Sequence, residues 1–477
     1  MQKSLNFFGG FFKKPDSRFF GRHMVLYAVL AAFFMATFVR ASHGAPSDDV
    51  GSHGAVMTLL WIAVILVAAK LSSLIERYGQ PSVLGELIVG VILGNLALVG
   101  IHIFEPIKSD VFIPFLAELG VIVLLFQVGL ESNIHEMKKV GARAFLVAVV
   151  GVVLPSVLGT YLVGPWLLPG LSNNAYLFLG AALTATSVGI TARVFKDLGK
   201  LKTSEAKIVL GAAVIDDVLG LIILAVVSAI VALGTVSGGD VAIIVGKAVA
   251  FLAGSIIVGH FAAPLLGKWL SKVHTGVAMK FTLALAFALV YSFVAGEIGL
   301  APIVGAFAAG LVLDPVHFKR FKKPKVAEEL ERKCAHLSEA DRKSIMEFSE
   351  EHSHRHVEDL IEPLAHFLVP IFFVVTGMAV NLETLFDTKI LLVALGITLA
   401  AFVGKYVAGF VAGKVNKHIV GFGMVPRGEV GLIFATIGKG LGVVSDEVFS
   451  IIVIMVIFTT LLTPPILSHL LKKHKTN

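Results

Sequence analysis

The chain has 477 residues, of which 56% are hydrophobic and only 15% are charged, and its mean hydropathy is +0.87. This composition excludes a soluble domain, since one core cannot bury so much apolar surface, and it predicts a membrane protein. The formal charge of +7 is spread over short loops between apolar runs, which is typical of membrane topology rather than of nucleic-acid binding.

The N-terminal segment, residues 1–45, combines a basic stretch with the apolar run Met24–Val39 and the small residues that follow it. This pattern predicts a signal peptide or an uncleaved anchor helix. Both alternatives place residue 46 outside the cytoplasm.

Thirteen apolar segments of spanning or nearly spanning length follow, which predicts an all-α membrane protein. We expect α1–α9 within residues 46–314, a cytoplasmic charged loop over 315–359, and α10–α13 with a short tail over 360–477. The predicted helices are α1 (54–75), α2 (82–100), α3 (112–130), α4 (142–168), α5 (175–195), α6 (206–234), α7 (241–267), α8 (277–295), α9 (300–314), α10 (360–380), α11 (389–413), α12 (423–443) and α13 (446–471).

The orientation follows from the basic residues of the short connections. If α1 runs inward, the outer loops hold only Lys108, Lys389 and Lys439, and the other loops and the tail hold most of the remaining lysines and arginines. The positive-inside rule therefore predicts that the chain after residue 46 starts outside and that the C-terminus is cytoplasmic.

The loop over 315–359 contains a predicted charged amphipathic helix at Val326–Phe348 and a histidine run at residues 352–356. Imidazoles bind metals and titrate near neutral pH, so zinc binding and pH sensing are two alternatives for this run. The spacing of the run matches no closed ligand set, and we favour a solvated loop.

A weak internal symmetry relates α3 to α10. Gly129 and Asn133 at the end of α3 correspond to Gly377 and Asn381 at the end of α10, within similar apolar sequences. The offset of seven helices is odd, so the two copies run in opposite directions. Inverted repeats of this kind are typical of secondary transporters, which bind their ions near the midplane.

Helix α6 carries two adjacent acids, Asp216 and Asp217, inside an apolar span. Each charge at membrane depth costs roughly 2.5 to 3.5 kcal/mol on insertion scales, so a functional pair is predicted. Neighbouring side chains on a helix point about 100° apart, and the two acids should therefore have different partners.

Lys405 in α11 is the predicted partner of Asp216. Each lies nine residues from a lysine that marks a cytoplasmic helix end, Lys207 or Lys414, so both are about 13 Å deep. A lysine that snorkels alone to the surface is the alternative. With Asp216 paired, Asp217 remains for a mobile cation, and because two like charges so close oppose each other's ionisation, it should hold either H⁺ or Na⁺.

Helices α5 and α12 are predicted to be interrupted. Thr184, Thr186, Ser187 and Thr191 lie in α5, and the run Pro426–Glu429 lies in α12. Broken helices need such residues, although single hydroxyls more often serve helix packing.

Two interpretations stay open for each of four further charged residues. Arg427 and Glu429 would either take part in the site or pair at the inner membrane face. The acids Glu86 and Glu118 would either make subunit contacts or line the ion path.

The motifs together resemble the monovalent cation:proton antiporter-2 family of bacterial exchangers, and the resemblance covers residues 54–471. They are Pro81–Glu86, Leu124–Glu131, Thr184–Val188, Ile215–Asp217, Gly305–Gly310, Pro370–Phe373 and Pro426–Glu429. The resemblance implies a sodium/proton antiporter fold in which α5 and α12 cross, a dimer in the bacterial inner membrane, and electrogenic exchange. It also implies that Asp217 binds the ion, that Asp216 pairs with Lys405, and that Thr186 and Ser187 line the site.

The function predicted from these residues is secondary active exchange of Na⁺ or Li⁺ for H⁺, with no enzymatic activity, cofactor or structural metal. Exchange of K⁺ for H⁺ stays open, although the Kef-type exchangers of the family have Gln-Asp where this chain has Asp216-Asp217. An intramembrane protease needs acids on two separate helices, and a cation channel needs no alternating access. Both are less favoured.

Overall fold

The computed structural model describes residues 50–78, 80–131, 141–233, 238–313, 356–383 and 388–473. The predicted segment 1–45 and residues 315–355 of the predicted loop, including the amphipathic helix and the histidines before residue 356, lie outside the described residues. The chain divides into the units Met1–Leu59 and Leu60–Asn477. Of the first unit only the helical residues 50–59 are described, and the candidate site lies in the second.

Helices account for all the regular secondary structure of the described residues, and helical structure is present on each of the thirteen predicted segments. They are α1 Val50–Ser72 with a 3₁₀ turn Ser73–Tyr78, α2 Ser82–Gly94 with a 3₁₀ turn Leu96–Val99, a one-turn helix Glu105–Lys108, α3 Phe112–Glu131, α4 Ala142–Val157 continued by a π-helix Leu158–Val163 and by Gly164–Leu167, α5a Asn173–Ala182, α5b Val188–Asp197, α6 Ser204–Leu233, α7 Gly238–Val273, α8 Val277–Glu297, α9 Pro302–Val312, α10 His356–Met378, α11 Thr388–Tyr406 with a 3₁₀ turn Val407–Val411, α12a Lys417–Gly423, α12b Glu429–Gly440 and α13 Asp446–Lys473.

Eight helices in the described part of the chain are long and apolar enough to cross a bilayer, or nine if the bent α7 counts as one span. This protein is therefore a multi-pass membrane protein. The short α2 and α9 have 13 and 11 residues, fewer than the roughly 20 that a spanning helix needs. The count of thirteen spans stays a prediction.

Glycine contacts repeat at the predicted offset of seven helices. A Cβ atom at Gly90 of α2 would lie 3.0 Å from the Cα atom of Gly377 in α10. A Cβ atom at Gly129 of α3 would lie 3.0 Å from the Cα atom of Gly310 in α9. Because α2 corresponds to α9 and α3 to α10, the contact between α2 and α10 is equivalent to the contact between α9 and α3. Small residues permit such close helix contacts in membranes.

The segment of α6 that precedes Asp216 packs against α4 through small side chains. Ala144 and Ala148 of α4 and Ala212 of α6 are buried in one apolar cluster with Met424, the residue that follows α12a. Small residues let helix backbones approach closely within a membrane. This packing sets the position of Asp216 and Asp217 along the axis of α6 relative to the break in α12.

Candidate functional site

Helices α5 and α12 are both interrupted. Residues 183–187 separate α5a from α5b, and residues 424–428 separate α12a from α12b. In α5 the Thr184 hydroxyl donates to the Ala181 carbonyl at 2.7 Å, a local bond that competes with helix continuation. In α12 Pro426 lacks the N–H group that a continuous helix requires.

The two interruptions meet. The Ser187 N–H donates to the Pro426 carbonyl at 2.8 Å, which joins the two non-helical stretches directly. The Thr186 hydroxyl donates to the Met424 carbonyl at 3.1 Å, and the Thr191 hydroxyl donates to the Gly423 carbonyl at 2.7 Å. The helices therefore cross at their breaks, as the family resemblance implied, and α5 supplies donors to the carbonyl end of α12a.

The structure brings Asp216 and Lys405 together in the bilayer interior. The Lys405 Nζ atom lies 2.5 Å from Asp216 Oδ1, and both side chains are fully buried. The stem of Lys405 runs past Gly151 of α4, where a Cβ atom would lie 3.4 Å from Lys405 Cδ. Lys405 does not snorkel to a membrane surface, and the depth argument from the sequence placed it correctly beside Asp216.

The second oxygen of Asp216 is free within the described part of the chain. Asp216 Oδ2 is buried without a hydrogen-bond partner there, an arrangement that costs free energy unless a ligand satisfies it. The Thr186 hydroxyl lies within hydrogen-bond reach of this carboxylate as well as of the Met424 carbonyl, and its single proton can serve one of the two acceptors at a time. A carboxylate oxygen in this position suits a desolvated cation.

Asp217 lies next to further acidic charge. Its side chain is buried, and the charges of Asp216 and Glu429 act on it. The Ser187 hydroxyl donates to Glu429 Oε2 at 3.4 Å, which brings α5 to the same place. Asp216, Asp217 and Glu429 thus form an acidic cluster, and Lys405 and Arg427 are the basic side chains whose charges act on Asp216.

Arg427 does not lie at an exposed membrane face. Its side chain is fully buried, and its guanidinium donates to carbonyls of Val425 at 2.7 Å, Met424 at 3.4 Å and Ala401 at 3.0 Å. The exposed position at the inner face, one of the two readings of the sequence for Arg427, is wrong because the break draws Arg427 into the crossing. The carbonyls of Met424 and Val425 lie in the break of α12, where no helical N–H of the described residues pairs with them, and they accept bonds from Arg427 instead.

A cavity of about 220 Å³ reaches the crossing from the start of α2. Ser187, Gly428 and Glu429 line it together with Pro81, and most of the remaining lining residues are apolar. A larger cavity of about 480 Å³ is lined by Asn95, Lys108 and Lys439 among others and touches no residue of the acidic cluster. The site thus communicates with the smaller cavity.

Glu86 and Glu118 stand apart from the acidic cluster. Glu86 of α2 is buried, whereas Glu118 of α3 is exposed. Neither residue lines the two cavities. For Glu118 this exposure agrees with a lipid or subunit contact better than with an ion path.

A helical membrane fold with two crossed, interrupted helices around buried acids and a lysine defines a secondary transporter rather than an enzyme. The family model described as "Sodium/hydrogen exchanger, transmembrane" matches residues 62–473. The chain belongs to this sodium/hydrogen exchanger family.

Similar proteins support the same assignment. The chain is 35% identical to the high-affinity Na⁺/H⁺ antiporter NhaS3 of Synechocystis sp., over 85% of this chain and 88% of that protein. It is 34% identical to the Na⁺/H⁺-K⁺ antiporter GerN of Bacillus cereus, over 86% of this chain and 95% of that protein. The solved structure of the sodium proton antiporter MjNhaP1 from Methanocaldococcus jannaschii shares the fold, with a TM-score of 0.60 and 18% identity over 88% of this chain and 100% of that chain.

Proposed function

We propose that this protein exchanges Na⁺ for H⁺ by alternating access, with Asp217 binding either ion. The observation that carries the proposal is a second buried acid, Asp217, next to the buried ion pair of Asp216 and Lys405 at the crossing of the two interrupted helices. The relatives named as Na⁺/H⁺ antiporters support the choice of ion. Li⁺ is the expected second substrate, and the transported ions are the only metals required.

In the proposed cycle Asp216 and Lys405 act as a switch. A cation that enters beside Asp217 also meets the free Asp216 Oδ2 and competes with Lys405 for this carboxylate. Lys405 then loses its counter-charge and releases a proton, in addition to the proton that the cation displaces from Asp217. More protons than cations move per cycle, so we expect electrogenic exchange. Thr186 and Ser187 line the site.

The proposed setting is the bacterial cytoplasmic membrane. The distribution of lysine and arginine supports an external start after residue 46 and a cytoplasmic C-terminus. With this orientation Pro81, which lines the smaller cavity, lies at the cytoplasmic start of α2, so we expect ions to reach Ser187 and Glu429 from that side. We propose a homodimer in the lipid bilayer.

Proteoliposomes that contain a pH-sensitive dye test the exchange. Addition of NaCl or LiCl should drive protons in the direction opposite to the cation. Because more protons than cations move, the rate should rise when the membrane potential is negative on the side to which the protons move. Asp217→Asn should abolish the flux. Equal flux with KCl would support the alternative K⁺/H⁺ exchange. GerN is named as a Na⁺/H⁺-K⁺ antiporter, so K⁺ belongs in the test. Cation conductance without proton movement, unaffected by Asp217→Asn, would establish a channel instead.

A further inference from the structure

The break of α12 contains five backbone carbonyls, and each of them accepts a hydrogen bond. The carbonyls of Met424 and Val425 accept from the Arg427 guanidinium. The Pro426 carbonyl accepts from the Ser187 N–H at 2.8 Å. A buried carbonyl without a donor costs free energy, so this pairing stabilises the break. These three acceptors are satisfied by α5 and by α12 itself.

The two remaining carbonyls have donors of different origin. The Gly428 carbonyl accepts from the Leu432 N–H at 3.4 Å, a bond that belongs to the first turn of α12b. The Arg427 carbonyl accepts from the hydroxyl of Thr460 in α13, and the Thr460 side chain is buried. A third helix therefore supplies one donor to the break, and it does so through a single hydroxyl group.

The carbonyl that Thr460 covers lies beside the smaller cavity, of about 220 Å³. Thr460 and Gly428 line this cavity together with Ser187 and Glu429, and the carbonyl carbon of Arg427 is bonded to the Gly428 nitrogen. Carbonyl oxygens replace the hydration shell of monovalent cations in protein ion sites. Without the Thr460 hydroxyl, the Arg427 oxygen would be an additional cation ligand where the cavity reaches the helix crossing.

The neighbouring buried threonines of α13 make a different kind of bond. The Thr459 hydroxyl donates to the Met455 carbonyl at 2.8 Å, and the Thr463 hydroxyl donates to the Thr459 carbonyl at 2.6 Å. Bonds of this kind, to a carbonyl one turn earlier in the same helix, are common for hydroxyl side chains inside helices. Thr460 departs from this pattern, because its hydroxyl donates to the break of another helix.

We propose that Thr460 is a positioning residue of the ion site, which covers the Arg427 carbonyl and so keeps the transported cation on Asp217 instead of on the backbone of α12. The inference rests on the proposed function, because it concerns the cation bound at Asp217. A cation held by an additional carbonyl would bind more tightly and leave more slowly. Exchange would then slow down, because Asp217 must release the cation before it takes up a proton.

Equilibrium binding of radioactive Na⁺ to the purified full-length protein tests this inference, with choline chloride keeping the ionic strength constant. Thr460→Val keeps the shape of the side chain but removes the donor, and its dissociation constant for Na⁺ should be about tenfold lower than that of the wild type. Thr460→Ser keeps the donor and should bind as the wild type does. Thr463→Val, which removes a buried hydroxyl that bonds within α13, is the matched control and should also bind as the wild type does.

Exchange in proteoliposomes gives a second readout that a merely structural role would not produce. In Thr460→Val the maximal rate and the Na⁺ concentration at half-maximal rate should fall together, whereas simple loss of folded protein lowers only the maximal rate. Thr460→Ser should keep both values of the wild type. A Na⁺ concentration at half-maximal rate that is equal to or higher than that of the wild type in Thr460→Val would overturn the inference.

The variant Asp217→Asn separates this inference from the proposed function. Asp217→Asn should bind no Na⁺, and the double variant with Thr460→Val should bind none either. Loss of binding in Asp217→Asn, together with wild-type affinity in Thr460→Val, overturns the inference and leaves the proposed function standing. Full binding in Asp217→Asn contradicts the proposed function instead.

Thermal unfolding covers the case in which Thr460→Val folds poorly. A ligand that binds only the folded protein raises its melting temperature once the ligand concentration exceeds the dissociation constant. The melting temperature of Thr460→Val should therefore begin to rise at about tenfold lower NaCl concentration than that of Thr463→Val, and choline chloride should have no such effect. A rise that begins at the same or at a higher NaCl concentration in Thr460→Val would overturn the inference.

Discussion

At the scale of single residues, the central feature is a buried ion pair with one unsatisfied oxygen. Asp216 and Lys405 are both removed from water, and their attraction in a medium of low dielectric offsets part of the desolvation cost. Asp216 Oδ2 lacks a hydrogen-bond partner in the described part of the chain, so a further part of the desolvation cost is not offset until a cation binds. A pair of this kind is poised to exchange partners.

The ion pair predicts the stability of Lys405 variants. Lys405→Gln leaves Asp216 buried without its counter-charge and should lower the free energy of unfolding by about 3–5 kcal/mol. Lys414→Gln, at an exposed position in the connection that follows α11, is the control and should change it by less than about 0.5 kcal/mol. Addition of Asp216→Asn to Lys405→Gln should recover most of the loss, as measured by unfolding in detergent. Equal unfolding of the two lysine variants would argue against a stabilising pair.

At the scale of elements, the crossing depends on close contact between the two breaks. A Cβ atom at Gly428 would lie 2.7 Å from the Ser187 Cβ atom and 2.8 Å from its Oγ atom, both too close. Glycine at this position lets the Ser187 N–H reach the Pro426 carbonyl. The geometry of the ion site is therefore set by a backbone approach as well as by charge.

Gly428→Ala should push α5 and α12 apart, lower the free energy of unfolding by about 1–3 kcal/mol and weaken Na⁺ binding. Gly440→Ala at the end of the same half-helix is the control, because a Cβ atom there meets nothing within 4 Å. Ser187→Gly added to Gly428→Ala removes the clashing atoms and should restore stability. Stability and Na⁺ binding can be measured on the same purified samples. If Gly428→Ala matches Gly440→Ala in both, the close crossing has no energetic role.

At the scale of the whole molecule, the sequence predicted the helical segments, both interruptions and the pairing of Asp216 with Lys405. Hydropathy and depth counted from helix ends depend on local sequence, so they were sufficient for these features. The buried position of Arg427 could not be predicted in this way, because depth along a continuous α12 places it near the membrane face. The ends of α2 and α9 were also placed too late, since hydropathy does not separate a helix from an apolar turn such as Leu96–Val99.

The equilibrium affinity for Na⁺ as a function of pH tests the central claim most directly, namely that Asp217 holds either a proton or a cation. Competition with the Asp217 proton predicts that the dissociation constant rises at least about tenfold for each unit of decreasing pH below the range in which Asp217 is deprotonated, because Lys405 releases a second proton when the cation binds. Asp217→Asn should bind no Na⁺ at any pH. A dissociation constant independent of pH, or binding that persists in Asp217→Asn, would contradict the account.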